Sequence, residues 1–347
     1  MKRNYSIELL KLYLAISVAF LHAEIETKLP FMNGQIAVFL FFVLSGYFLV
    51  GSFNSGKYND ASECTFARIK RIYPYYIAAF LVMFVAKTVD GFVGIGATVE
   101  TFFTSLPEMF LLQNIGVFSG GINYPLWQMC CLVVVSHILF GLLEWNKKAT
   151  INVICPLTAI GVFTYLSNAY GTNTVDIWGV EAEFLYVPLL RAAGGMSVGI
   201  MLYHPLKQLL AGLESSRTKW LPTVISLASI PLFLIFWLNR NSFAVVIPFA
   251  FLLVCMFYSK GFYARFFQKK IFSKLDKLSL SIYLCHALIY SVLKHFTDWM
   301  TDTTRIWVGL AYIAVVIVYG IALVVSVDFV MKIGKKIFAK LNSDNCN

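Results

Sequence analysis

Long apolar stretches recur along the whole chain and are separated by short polar segments. A helix needs about 20 mostly apolar residues to cross the roughly 30 Å hydrocarbon core of a bilayer. Windows of this kind predict ten membrane-spanning helices, at about residues 5–23, 34–53, 72–93, 124–145, 149–167, 184–203, 219–238, 243–259, 278–297 and 306–328. The pattern therefore predicts an all-α integral membrane protein with a single transmembrane domain, residues 1–347.

Composition and charge support this prediction. Hydrophobic residues make up 59% of the chain and charged residues only 13%, whereas soluble domains average roughly 25% charged residues. With the N-terminus inside, the inner segments hold 21 Lys and Arg residues, and the outer segments hold Lys28, Arg240 and Arg305. This bias follows the positive-inside rule, so both termini are predicted to be cytoplasmic. The net charge of +10 is explained in this way, and no nucleic-acid partner is expected.

The segments around the spans add three expectations. Glu8 and Lys11 interrupt the first apolar stretch, so it is predicted to be a retained span and not a removable signal peptide. The outer segment at about 94–123 predicts a helix along the membrane surface, and the basic segment from residue 331 predicts a short amphipathic exit. The absence of a convincing internal repeat counts against a transporter.

The cysteines and histidines predict neither a disulfide nor a metal site. Five of the seven cysteines lie in predicted spans and two on the inner side, so no outer segment holds a pair. The five histidines show no spacing that would supply a zinc ligand set.

Lys11 and His22 are unusual because ionisable side chains within a span are costly and usually face a cavity or a partner. Their separation of eleven residues places them within about 20° of one helix face, with a rise of about 17 Å. The spacing predicts a polar track towards the outer edge of the bilayer. Alternatively, Lys11 simply pairs with Glu8 at i,i+3 and His22 is an interfacial residue.

A histidine at the outer end of such a track is suited to two different mechanisms. Its imidazole can take a proton from a hydroxyl, or it can carry an acyl group transiently. Glu26 follows at i+4 from His22. It either orients the imidazole or is a solvated loop acid.

Several other charged or titratable residues are candidates for function. The run "FARIKRIYPYY" contains Arg68, Lys70 and Arg71, which suit the phosphates of a nucleotide-like cofactor or serve as ordinary inner-side anchors. Arg191 is too deep for a loop anchor and precedes "AAGGMSVG", whose small residues allow helices to approach closely. His137 and His286 lie mid-span, where a histidine either satisfies a neighbouring helix or takes part in chemistry.

Together these segments resemble the membrane-bound acyltransferase family 3, multi-span enzymes that acylate sugars or lipids. "IELLKLYLAISVAFLHA" is similar to the family's opening helix, in which ten residues separate a basic residue from the key histidine. "VFLFFVLSGYFLV" resembles the "FFVLSGF" signature and places Ser45, while "RIKRIYP" matches an Arg-x-x-Arg element through Arg68 and Arg71. "LSLSIYLCH" resembles the late helix that ends in His286, and "RAAGGMSVGIMLY" a Gly-rich helix that follows Arg191.

The resemblance implies an enzyme that takes an acyl group, expected to be acetyl, from acyl-coenzyme A in the cytoplasm. The expected acceptor is a hydroxyl of an extracytoplasmic surface sugar or lipid-linked glycan, and the expected location is the plasma membrane, as in a bacterial inner membrane. The resemblance implies that His22 is a general base or acyl carrier and that Lys11 lines the donor channel. It implies that Ser45 permits close packing beside that channel. Arg68, Lys70 and Arg71 are expected to contact the donor phosphates, and Arg191 is expected to support the site.

The sequence departs from the family pattern at two positions. Lys11 replaces the usual Arg and cannot form a bidentate fork. Leu132 stands where many members have a glutamate, five residues after Trp127. The rival interpretation is a transporter or lipid translocase whose buried basic residues form a substrate or proton path.

Overall fold

The fold is described from a computed structural model over residues 5–27, 34–90, 95–116, 121–170, 181–182, 185–218, 220–239, 243–267, 269–294 and 301–344. Regular structure in these residues is almost entirely helical: α1 (Ser6–Thr27), α2 (Gly34–Asn54), α3 (Ala61–Asp90), α4 (Ile95–Met109), α5 (Trp127–Ala149), α6 (Cys155–Tyr170), α7 (Val187–Ser215), α8 (Leu221–Asn239), α9 (Val246–Phe257), α10 (Phe262–Phe266), α11 (Leu275–Leu293) and α12 (Asp302–Asp344). Two-residue strands, β1 (Glu181–Ala182) and β2 (Leu185–Tyr186), pair antiparallel.

Five segments of the described chain are long and apolar enough to cross a membrane: Ser6–Ala23, Ile36–Asn54, Ala61–Val89, Tyr124–Tyr170 and Thr304–Ala339. Two shorter apolar helices occupy Thr223–Ile235 and Phe243–Phe257. The protein is therefore an all-α membrane protein, as predicted. The count of ten spans and the cytoplasmic termini remain predictions.

Three helices extend more than about ten residues beyond the predicted windows. α3 begins at Ala61, so the basic run around Arg68 belongs to the helix and does not precede it. α7 continues to Ser215, and α12 continues to Asp344, so the basic C-terminal segment extends the last helix. Hydropathy marks the apolar part of a helix, whereas backbone hydrogen bonding continues as long as residues still favour the helix.

α1 and α11 run parallel to each other. Lys11 Nζ lies 2.9 Å from Asp276 Oδ1 near the beginning of both helices. Further along both helices, the rings of His22 and His286 stack. We refer to the end of the bundle that holds Lys11 as the basic end and to the end that holds His22 as the histidine end.

The other helices alternate in direction. Contacts at both ends show that the two helices of each of these pairs are antiparallel: α1–α2, α3–α5, α6–α7, α8–α9 and α11–α12. Most described Lys and Arg residues consequently lie at the basic end, whereas Lys87, Arg191, Lys294 and Arg305 lie at the histidine end. The one-sided charge distribution predicted from the sequence is thus present in the fold.

α2 and α7 pack backbone against backbone. A Cβ atom added at Gly46 would overlap the carbonyl oxygen of Met196, and one added at Gly199 would overlap the carbonyl oxygen of Val43. The close approach predicted from "AAGGMSVG" is therefore confirmed. The close contact on α2 is at Gly46, next to Ser45, whose hydroxyl donates to the carbonyl of Phe41 in its own helix at 2.8 Å.

Candidate active site

Two stacked imidazole rings lie at the histidine end. The ring centroids of His22 and His286 are 5.1 Å apart and the rings are inclined by 19°. The ring of Tyr124 meets His22 at 75° with centroids 5.0 Å apart, and Tyr290 lies at 6.1 Å. No described residue hydrogen-bonds the imidazole of His22. Aromatic side chains therefore hold this imidazole while leaving its nitrogen atoms available.

His286 is fully buried, and its tautomer follows from its contacts. Its Nδ1 lies 2.7 Å from the carbonyl oxygen of Tyr283, which can only accept, so Nδ1 carries a hydrogen. Nε2 is buried and has no hydrogen-bond partner among the described residues. Buried polar atoms are normally paired. An unpaired nitrogen beside His22 is therefore suited to a hydrogen bond with a ligand.

The turn that carries Tyr124 is fixed by a buried carboxylate at the end of α4. Glu108 accepts hydrogen bonds from the backbone N–H of Ile122 at 2.7 Å and of Asn123 at 3.0 Å. Gly121 has a φ of +132°, and a Cβ atom there would overlap the Glu108 carboxylate. Burial raises the pKa of Glu108 to about 7, although the two N–H groups act in the opposite direction.

The same turn is also tied to α11. The side-chain amide of Asn123 donates to the carbonyl of Leu284 at 3.0 Å, and the hydroxyl of Tyr283 donates to the carbonyl of Pro125 at 2.7 Å. These bonds lie on either side of the tyrosine that contacts His22. The position of that ring therefore depends on both α4 and α11.

At the basic end, charged side chains form ion pairs with one another. Lys11 Nζ donates to Glu8 at 3.0 Å and to Asp276 at 2.9 Å, and Arg71 reaches the same oxygen of Asp276 at 3.2 Å. Burial raises the pKa of Asp276, but the positive charges of Lys11 and Arg71 outweigh this effect and hold the pKa below its ordinary value. Three helices, α1, α3 and α11, meet at this one carboxylate.

A second ion pair at the basic end joins α11 to α12. Lys277 Nζ contacts both oxygens of Asp328, at 2.8 and 2.7 Å. The hydroxyl of Tyr75 in α3 donates to the same carboxylate at 2.6 Å. Asp276 and Asp328 thus connect the basic ends of four helices, α1, α3, α11 and α12.

The three basic residues of α3 that were predicted to contact the donor differ in exposure and in the hydrogen bonds they already form. Arg68 is half-buried and forms no hydrogen bond or ion pair with a described residue, and Lys70 is exposed. Arg71 is 64% exposed although it pairs with Asp276. The guanidinium of Arg68 is therefore the one whose donors are not already used within this cluster.

The other predicted residues lie apart from the two clusters or outside the described side chains. The guanidinium of Arg191 lies 5.7 Å from the centroid of the Trp127 ring, at the histidine end. His137 is exposed and lies 3.0 Å from the hydroxyl of Thr65, so it serves a neighbouring helix. Glu26 belongs to α1, but its side chain lies outside the described residues.

The polar track predicted along α1 is polar only at its two ends. Between Lys11 and His22, the residues on the same face are Ala15 and Val18, and both are buried. Among the described residues, no three His, Cys, Asp or Glu side chains converge on a point that would hold a metal. The described cysteines are all free and buried.

Sequence reasoning missed the residues that organise both clusters. Asp276 and Asp328 were detectable only as isolated acids beside apolar windows. Glu108 appeared as one acid of an outer segment, and nothing in the sequence associated Tyr124 with His22, which is 102 positions away. These residues acquire their roles through the packing of the bundle.

The fold and the two clusters define a helical membrane protein with a buried imidazole pair at one end and a basic surface at the other. A family model described as an acyltransferase domain matches residues 4–327. The chain belongs to acyltransferase family 3 and is a membrane acyltransferase. No curated protein and no solved structure matched the chain.

Proposed function

We propose that this acyltransferase moves an acetyl group from acetyl-coenzyme A, bound at the basic end, to a hydroxyl group at the histidine end. The acceptor is an extracytoplasmic surface sugar or a lipid-linked glycan. The basic end faces the cytoplasm of a plasma membrane, with ten spans and both termini inside. The positive-inside bias of the chain supports this orientation.

The donor proposal is supported by the basic residues of α3. Arg68 has unused donors, and Lys70 and Arg71 are exposed beside it. A guanidinium grips phosphate oxygens in pairs, and neighbouring cations add point charge. Lys11 is already shared between Glu8 and Asp276. We therefore assign it to holding α1 against α11, beside the donor path, and not to direct phosphate contact.

The acceptor proposal is supported by the available nitrogen atoms of the imidazole pair. The acceptor oxygen attacks the thioester carbonyl carbon while His22 takes the hydroxyl proton. The carbon–sulfur bond then breaks, and the proton passes from His22 to the leaving thiolate. The products are an ester and free coenzyme A. His286 positions the ring of His22 by stacking and offers Nε2 to a ligand hydroxyl.

One observation carries the proposal: α1 and α11 are parallel and present a charge cluster at one level and paired imidazoles at the other. The rise of α1 separates the two levels by about 17 Å. A donor held by its phosphates at the basic end must therefore extend its thioester arm along this seam.

The test is transfer of labelled acetyl groups in isolated membranes. Membranes with the native chain should transfer label from acetyl-coenzyme A to glycan or glycolipid, and His22→Ala should lower the rate at least about 1,000-fold. His137→Ala is the matched control, because that histidine is exposed and its one hydrogen-bond partner among the described residues is Thr65. Its rate should stay within about twofold of the native rate.

The outcomes separate the proposal from its rivals. A transporter would leave the thioester intact in both variants, and equal activity in His22→Ala and His137→Ala would remove the imidazole from the mechanism. Label that stays on the denatured protein, and is lost with His22→Ala, would replace the general-base route by an acyl-histidine intermediate.

A further inference from the structure

A groove at the basic end lies between α11 and α12 and has two chemically different halves. The half nearer the bilayer centre has a volume of about 770 Å³ and is lined mainly by apolar residues, among them Leu278, Ile321 and Val325, together with Ser273 and Lys274. The outer half, of about 510 Å³, is lined by Lys332, Lys335 and Lys336. Lys277 and Asp328 belong to both halves, so the two are continuous.

Apart from Lys277, the lysines of the outer half have no acidic partner in the described part of the chain. Lys277 is the one lysine of the groove that is paired, with Asp328 at 2.7 Å. Lys274, Lys332, Lys335 and Lys336 are exposed and form no ion pair with a described residue. Their concentrated positive charge is complementary to an anion.

The apolar half remains open on the lipid side of the bundle. α11 and α12 approach closely where Gly320 lies against Ile282. Towards the basic end, Ile321 is 48% and Val325 62% exposed along the groove. A hydrocarbon chain lying here would cover this surface without disturbing the packing between the helices.

The order of the two halves along the bundle matches the order of parts in a phospholipid. α12 is 43 residues long, or about 64 Å at 1.5 Å per residue, and its lysine-rich end extends beyond the hydrocarbon core. Passing from Lys336 through Lys277 to Val325, the groove changes from cationic to apolar. Basic pockets beside transmembrane helices are a recognised setting for acidic lipid head groups.

We propose that this groove is a binding site for an anionic phospholipid of the leaflet at the basic end. The head-group phosphate lies among Lys332, Lys335 and Lys336, and an acyl chain covers Ile321 and Val325. The proposal does not depend on the reaction assigned to the imidazole pair, because none of these residues belongs to that site.

The test is a titration of the full chain, purified in neutral detergent, with dioleoyl phosphatidylglycerol or dioleoyl phosphatidylcholine, followed by native mass spectrometry. The native chain should bind the anionic lipid at least about tenfold more tightly than the zwitterionic one. Lys332→Gln, Lys335→Gln and Lys336→Gln combined should weaken phosphatidylglycerol binding at least about tenfold. The matched control combines Lys147→Gln, Lys148→Gln and Lys207→Gln, three lysines at the same end of the bundle but outside the groove.

Other outcomes would overturn the proposal. If both triple variants lost affinity for phosphatidylglycerol equally, the lipid would be responding to the overall positive charge and not to the groove. If the groove variant kept its affinity, Lys332, Lys335 and Lys336 would not form the head-group site. Ile321→Ser with Val325→Ser should weaken dioleoyl phosphatidylglycerol binding severalfold, and an unchanged affinity would exclude the apolar half. Displacement of the lipid by equimolar glycerol 3-phosphate or coenzyme A would show a site for a soluble phosphate instead.

Discussion

Two pairs of parallel helices in this protein are joined in opposite ways. α2 and α7 meet through glycine, with backbone against backbone at Gly46 and Gly199. α1 and α11 meet through long polar and aromatic side chains, at Lys11–Asp276 and at His22–His286. The first seam has no room for a ligand, whereas the second presents unpaired nitrogen atoms at one end. The comparison assigns a scaffold role to α2–α7, whereas the proposed chemistry belongs to α1–α11.

Adding a methyl group to the scaffold seam should have the largest effect. A Cβ atom at Gly46 would overlap the backbone of Met196, which cannot rotate away as a side chain can. Gly46→Ala should therefore cost more than about 4 kcal/mol or prevent folding. The fraction of monodisperse protein in detergent and its thermal unfolding measure this effect.

Gly161→Ala provides the matched control for the scaffold seam. Gly161 lies in α6, and a Cβ atom there would have no neighbour within 4 Å. This variant should be unchanged or slightly stabilised, because alanine favours helix over glycine by up to about 1 kcal/mol. If Gly46→Ala unfolded at the same temperature as Gly161→Ala, the scaffold role of the seam would be wrong.

The turn that carries Tyr124 beside His22 should make the free energy of unfolding depend on pH. Because burial raises the pKa of Glu108 from 4.5 to about 7, the folded state binds its proton more tightly than the unfolded state. Stability is then greatest below about pH 4.5 and falls by about 3 kcal/mol as the pH rises to about 7. Unfolding temperatures of the native chain and of Glu108→Gln, measured across this range, should diverge accordingly. Parallel curves for the two proteins would show that Glu108 does not titrate with folding.

The scaffold seam was largely predictable from sequence, and the polar seam was not. The small residues in "AAGGMSVG" predict close packing, because small side chains let two helix backbones approach each other. The windows of apolar residues likewise predicted the helices, because a segment must be mostly apolar to lie in the hydrocarbon core. The closest approach on α2 is made by Gly46, next to Ser45, whose hydroxyl is bonded within its own helix, and the role predicted for Ser45 stays a prediction.

The partners within the polar seam depend on tertiary contacts that leave no local pattern. Asp276 is 265 positions from Lys11, and the spacing that singled out His22 says nothing about which helix faces it. His286 was a candidate from sequence, but its stacking on His22 became visible only when α1 and α11 were seen to be parallel. Pairings between distant helices therefore require the fold.

His286 offers a way to separate stacking from hydrogen bonding in the polar seam. His286→Ala should lower the rate of acetyl transfer about 100-fold with little change in KM for acetyl-coenzyme A, because the proposed phosphate contacts are at the basic end. His286→Phe keeps an aromatic ring against His22 but has no nitrogen atoms. Its rate should stay low if Nε2 is needed, whereas full recovery would show that only the stacked ring matters.

The smallest effect is expected at the basic end of the polar seam, where charges are shared among several groups. In a double-mutant cycle with Lys11→Met and Asp276→Asn, the coupling energy in unfolding should be about 1 kcal/mol, because Arg71 still neutralises Asp276 when Lys11 is removed. Since the pKa of Asp276 lies below its ordinary value, the coupling should persist at about pH 5 and be lost on further acidification, when the carboxylate is protonated. A coupling near zero at neutral pH would mean that the basic ends of α1 and α11 are held together by apolar packing alone, and the contrast with α2–α7 would then rest on the histidines.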